Sequence, residues 1–360
     1  MTTTAPQPDP TSVDTFAGHL LAVLNHGSLC LMLSIGHRTG LFDVMSGRPP
    51  ATSAVIAAEA GLNERYVREW LGAMATARVV EVDAHGRFTL PAAHAASLTR
   101  AAGAANMAPF AQYIAVLGEV EDDIVRCFRE GGGVPYSRFT RFHEVMAEDS
   151  GQSVLSSIPS HILPLVPGLA DRLKAGIDVL DLGCGRGRIL NFLAAMFPAS
   201  RFVGIDLSDG AVAYATGEAQ AAGLSNVQFV AADLSDFDES AEPGRYDLVT
   251  TFDAIHDQAR PLNVLKGIRR TLRPGGIYLM QDISGTSHVH RDVEHPLGTF
   301  LYTVSCMHCM TVSLAQGGEG LGAMWGEAKT REYLERAGFS DVVTHKLAHD
   351  IQNNWYVVRP

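Results

Sequence analysis

The feature that most constrains this chain is the run VLDLGCGRGRIL at residues 179–190. Its pattern predicts a strand that ends at Asp181, a glycine-rich turn, and a helix that starts near Arg186. Around it, IDVLDLG, RFVGIDL, VQFVAADL, YDLVTTFD and GIYLMQDI are short, apolar and rich in β-branched residues, with helical stretches between most of them. Alternation of this kind specifies a parallel sheet covered on both faces. In such sheets ligands bind beyond the carboxyl ends of the strands. Gly183 and Gly185 let the backbone approach a ligand where a Cβ would intrude, and Gly187 permits close packing at the helix start. After Phe339, DVVTHKL and NNWYVVRP read as two further strands that could pair as a hairpin at the sheet edge.

A dinucleotide fold competes for this turn. Its fingerprint is G-x-G-x-x-G and seats a pyrophosphate on the helix N-terminus. Here the spacing is G-x-G-x-G, and Asp181 stands two residues before the first glycine. A carboxylate there would repel pyrophosphate and would suit the ammonium of a methionine moiety. No G-x-x-x-x-G-K-[ST] loop is present. Asp206 ends the second strand, where a carboxylate can accept from both ribose hydroxyls. Asp233 and Leu234 end the third, where Asp233 can accept from an adenine amino group and Leu234 offers its backbone N–H and an apolar surface. Either of these two acids alone could be a helix N-cap; together, at successive strand ends, they are harder to explain structurally.

With DLGCGRG, the acid of VGIDLS, AADL and the LRPGG turn at 272–276, the region from 171 to 360 resembles the class I S-adenosylmethionine (SAM)-dependent methyltransferases. The resemblance implies an α/β, Rossmann-like seven-stranded domain with its last strand antiparallel. It implies SAM as cofactor, S-adenosylhomocysteine (SAH) as product, and cofactor contacts from Asp181, Gly183, Gly185, Asp206 and Asp233. Leu207, Leu234 and Asp253 are further candidates for that site. The whole chain is similar to actinobacterial winged-helix methyltransferases, often labelled as regulators, which carry a DAIHDQ-like segment. Its architecture is also similar to that of plant-type small-molecule O-methyltransferases.

The fourth strand ends in TFDAIHDQARP. His256 has an ordinary pKa of about 6.5, suited to a base near neutrality, and Asp257 or Asp253 could orient it. Asp282, at the end of the fifth strand, is the alternative base. Residues 300–326 form an insertion rich in Met, aromatic and small residues, expected to wall the acceptor, with Gly317, Gly318, Gly320 and Gly322 as hinges of a mobile lid. Cys306, His308 and Cys309 within it cannot close a tetrahedral zinc site without a distant partner; His345 or His349 could be one, but nothing in the spacing demands it, so no metal is expected. A thiol that handles a thiophilic substrate is a separate reading.

The rest of the chain is expected to hold a disordered tail over 1–12, a mainly helical winged-helix-like dimerisation domain over 13–100, and a helical connector or lid over 101–170. In the second of these, Thr52 and Asn63 can cap two helices, and residues 79–82 and 87–90 read as a hairpin. The apolar stretch Leu20–Ile35 is interrupted by Asn25, His26, Gly27 and Ser28; it reads as a buried helix, against a second subunit, and not as a membrane span. The candidate recognition helix carries Glu64 and Glu69 against Arg65 and Arg68, and the formal net charge is −11. Both disfavour nucleic acid. Five scattered cysteines and a polar start without a positive n-region fit a reduced, cytoplasmic protein. The expectation is a homodimeric enzyme that methylates a small, largely apolar acceptor, most often at oxygen. The alternatives are a SAM-sensing winged-helix regulator, or transfer to sulfur, nitrogen or a metalloid.

Overall fold

The structure is a computed structural model that describes residues 10–360. The tail expected over 1–12 lies outside these residues except for its last three, which open the first helix. The chain divides into two compact units, one ending at Ala115 and the other starting at Val116. Residues of the expected 101–170 connector therefore occur in both.

In the N-terminal unit, α1 (Pro10–Arg38), α2 (Leu41–Met45), α3 (Ser53–Ala60) and α4 (Glu64–Thr76) precede a hairpin of β1 (Glu81–Val82) and β2 (Phe88–Thr89). Asn63 caps α4, its side chain accepting from the Arg65 N–H, whereas Thr52 sits at the α3 N-cap without a side-chain bond. The Asp83 carboxylate accepts from the His85 and Arg87 N–H groups and closes the β1–β2 turn. Phe42, Ile56, Trp70, Leu71 and Met74 form the core, and Trp70 Nε1 donates to the Met32 carbonyl of α1 at 2.8 Å.

The apolar stretch of α1 is not buried within the chain: Phe16, Leu20, Leu21, Val23, Leu24, Leu31 and Ile35 are exposed, and only its C-terminal end, with Ser34 and His37, is covered. The burial inferred from hydrophobicity requires a surface this chain does not supply. By length and composition the helix is also able to cross a membrane, with a mean hydropathy of 1.5.

The C-terminal unit is built on a seven-stranded sheet of β3 (Asp178–Leu182), β4 (Arg201–Asp206), β5 (Val227–Ala231), β6 (Tyr246–Phe252), β7 (Leu272–Ile283), β8 (Asp341–His345) and β9 (Asn353–Arg359). Their order is β5-β4-β3-β6-β7-β9-β8. All neighbours pair in parallel except β9, which is antiparallel to both β7 and β8. The alternation of strand side chains divides β3 between two cores. Val179 packs with Leu190, Phe197, Leu279 and Trp355 on one face, and Leu180 with Val249, Leu265, Ile268 and Tyr356 on the other.

The two ends of the sheet differ chemically. At the start of β3, Asp178 pairs with Arg201 and Arg273, and Asp247 with Arg273. At the other end the strand order reverses about β3, which opens the crevice where ligands bind in such sheets.

Candidate active site

Parallel strands deliver their last residues to a common edge, so Asp181, Asp206 and the residues after β5, β6 and β7 converge there. Gly183 has φ +70°, and a Cβ on it would lie 2.5 Å from the Ala254 Cβ. Glycine here lets the β3 turn and the β6 loop touch. Gly187 packs against the Phe229 ring in the same way, while Gly185 faces open space.

Asp181 is buried and its Oδ1 accepts from Thr250 Oγ1 at 2.7 Å. Burial, with Asp206 adding repulsion, pushes its carboxyl up to about 7. Asp206 Oδ2 accepts from the Gly185 N–H at 2.8 Å and Oδ1 from the Ser208 N–H at 2.9 Å. These bonds fix the glycine turn to the tip of β4. Asp233 is exposed, its Oδ1 taken up by the Ser235 N–H and hydroxyl; Leu234 beside it is buried, and Leu207 is exposed next to Asp206. The residues thus fit a cationic nucleoside: a buried carboxyl that a cation would ionise, a hydrogen-bonded acid with lone pairs to spare, and apolar flanks.

Asp253 is half-buried with φ +50°, a left-handed conformation rare outside glycine, just past the end of β6. Its Oδ1 has no partner, and burial, then Asp282, hold its carboxyl well above the usual range. His256 and Asp282 are joined: imidazole Nδ1 lies 2.7 Å from Asp282 Oδ1, both buried. The same oxygen accepts from Trp325 Nε1 at 2.9 Å and the Ile283 N–H at 2.8 Å. Burial opposes charging His256, but Asp282 and then Cys309 outweigh it and hold the imidazole well above its ordinary value. The residue that orients His256 is therefore Asp282, and not Asp253 or Asp257. Asp257 instead meets Tyr136 Oη at 3.4 Å and Gln258 Nε2 at 3.3 Å, and burial, the largest cause, brings its carboxyl to about 6.

The insertion closes over this loop. The Gly322 N–H donates to the His256 carbonyl, Glu319 N–H to the Ala259 carbonyl, and Ser313 Oγ to the Gln258 carbonyl. A Cβ on Gly318 would lie 2.6 Å from Ala259 Cα. Gly318, Gly320 and Gly322 permit tight turns and close packing here. Thr250 is not legible in the sequence, since it carries no motif; the bond from Trp325 to Asp282 and the placement of Tyr136, Phe139 and Phe142 against His308 depend on tertiary packing.

Comparison with known proteins agrees with this geometry. Residues 27–100 match the Rv2258c-like winged HTH domain family, and residues 173–338 match a methyltransferase domain family. A fatty-acid O-methyltransferase of Mycolicibacterium smegmatis is 33% identical over 107 residues, covering 30% of this chain and 37% of that protein. The chain spans about a quarter to just over half the length of the curated relatives it matches. A putative O-methyltransferase of Nostoc punctiforme superposes with a TM-score of 0.70 at 17% identity, covering 98% of this chain and all of that one. Human N-acetylserotonin methyltransferase in complex with SAM gives 0.66 at 19%, covering 99% of each. At these identities the likeness is one of fold. The chain thus joins a region that matches the Rv2258c-like winged HTH domain family to a region that matches a methyltransferase domain family, on a sheet that shares its fold with known methyltransferases.

Proposed function

We propose that this protein transfers the methyl group of SAM to an oxygen of a small, largely apolar acceptor, with His256 as the base. The observation that carries this reading is the 2.7 Å contact between His256 and Asp282 at the tips of neighbouring strands. SAM supplies a methyl already activated on a sulfonium. Asp181 would hold its ammonium, Asp206 its ribose hydroxyls, Asp233, Leu234 and Leu207 its adenine, with Asp253 bordering the space. The protein then has two tasks, to align the acceptor and to remove its proton. Asp282, fixed by three donors, keeps the proton of the neutral ring on Nδ1, and Nε2 accepts the hydroxyl proton in place of its hydrogen bond with the Cys309 thiol. Alignment can be worth about 7–11 kcal/mol and a positioned base about 10²–10⁴-fold.

We read α1 as the face of a homodimer. Its exposed apolar side chains support this, and its C-terminal half is docked into the winged-helix core through Trp70, which fits a membrane span poorly. The Arg65–Glu69 and Arg68–Glu64 pairs neutralise the basic residues of α4, which supports a small-molecule acceptor over nucleic acid. Cys30, Cys127, Cys184, Cys306 and Cys309 are free thiols, which suits the cytoplasm.

The test is transfer from methyl-labelled SAM to a panel of phenols and fatty acids by wild type and His256→Asn. Turnover that slows about 100-fold or more in the variant, with unchanged SAM affinity, supports the base. Equal rates contradict it. Labelled thiols or amines in place of hydroxyls would move the accepting atom to sulfur or nitrogen.

A further inference from the structure

His308 is a buried polar residue that the proposed proton transfer does not use. It sits in a π-helical turn, Ser305–Cys309, a distortion often found at functional sites. The side chain is buried, and neither ring nitrogen has a hydrogen-bond partner. It is boxed by aromatic rings. Phe142 stacks on it with centroids 3.4 Å apart and planes 7° apart, Phe139 meets it edge-on at 4.7 Å, and Tyr136 at 5.0 Å. Burial, then repulsion from His143 and His256, hold it well below the ordinary histidine value. The ring is therefore neutral, with one N–H donor and one lone pair, both unused. Unmet buried polar groups cost stability, and each one in a native structure calls for an explanation. For packing alone, phenylalanine would serve this box better.

The place of the box supplies the explanation. Tyr136 stacks on His143 with centroids 5.0 Å apart, and its hydroxyl points at Asp257, next to the base. That 3.4 Å contact is long for an O–H···O bond, so it is easily exchanged for another. Asp206 acts electrostatically on both Tyr136 and His143. The aromatic box thus adjoins the loop that carries the imidazole proposed as base, through the Tyr136–Asp257 contact.

We propose that His308 determines acceptor specificity by hydrogen-bonding a second polar substituent, such as a hydroxyl, on an uncharged aromatic acceptor. The inference rests on the methyltransferase reading of the same site. A hydroxyl both gives and accepts a hydrogen bond, as a neutral imidazole does. Phe139, Phe142 and Tyr136 favour a flat ring, and Asp206, which no ion pair among the described residues neutralises, disfavours a carboxylate.

The experiment compares wild type, His308→Phe and His308→Gln as full chains. Calorimetry with SAH comes first; failure of wild type to bind it removes the methyltransferase reading and this inference together. With SAH bound, the thermal midpoint and the affinities for phenol, catechol and decanoate are measured. The inference expects His308→Phe to raise the midpoint and leave SAH affinity within twofold. It expects catechol to bind wild type at least fivefold tighter than phenol, the two to become equal in His308→Phe, and part of the preference to persist in His308→Gln. It is overturned, with the methyltransferase reading intact, by any of four outcomes: a lower midpoint in His308→Phe, no catechol preference in wild type, a preference that survives His308→Phe, or decanoate as the tightest ligand.

Discussion

Asp181 and His256 show how burial sets chemistry at single residues. A carboxyl held near 7 by desolvation is about half neutral at physiological pH; a bound ammonium would draw it into the charged form. SAM affinity is therefore expected to rise with pH through about 7, with proton release on binding below that value. Calorimetry in buffers of different ionisation enthalpy measures both, and Asp181→Asn should remove the pH dependence. For His256 the shift is upward, because the Asp282 carboxylate outweighs burial. A base must be deprotonated to act, so the acidic limb of the kcat/KM profile should lie above the ordinary histidine value of about 6.5. Asp282→Asn should slow turnover by about 10–100-fold, the loss of a buried charged hydrogen bond of about 1.5–3 kcal/mol, and move that limb to lower pH. Both residues are legible in the sequence because strand ends and charge mark them. Their pairing is not: Asp253, Asp257 and Asp282 are equally acidic on paper, and only the strand register places Asp282 behind the ring.

At the level of elements, the strands are the most legible part. Five short apolar runs with intervening helices admit one architecture, and the last two strands read correctly as a hairpin. For α1, hydrophobicity reports a preference for cover without saying which chain provides it. If a second copy covers α1, replacing Leu20 and Leu24 by Asp should turn a dimer of 38.6 kDa chains into monomers in sedimentation velocity. A wild type that already sediments as a monomer contradicts the dimer. The glycines of the insertion admit two readings for a related reason, since glycine marks both hinges and close contacts. Gly318→Ala should destabilise the C-terminal unit by about 1–3 kcal/mol, as overpacking does, because its Cβ would collide with Ala259 and Ser313. Urea denaturation measures the loss; a neutral effect would favour the hinge.

For the whole molecule, the sheet separates structural from functional charge. At its amino end Asp178 is paired with arginines, and the Arg201 hydrogen bond, the largest cause, holds its carboxyl below the usual range. That contribution to stability is present above the unfolded-state value and is lost as pH falls through the folded one. At its carboxyl end Asp181 and Asp206 meet no cationic side chain among the described residues, an arrangement that costs stability in the free protein and gains from a positively charged ligand. The direct measurement is a titration of the full chain with SAM beside one with NAD. We predict saturable SAM binding in the micromolar range, weakened about tenfold or more by Asp206→Asn, and no NAD binding. NAD binding in place of SAM, or SAM affinity indifferent to both Asp181→Asn and Asp206→Asn, would contradict the assignment of the strand-end acids to the cofactor.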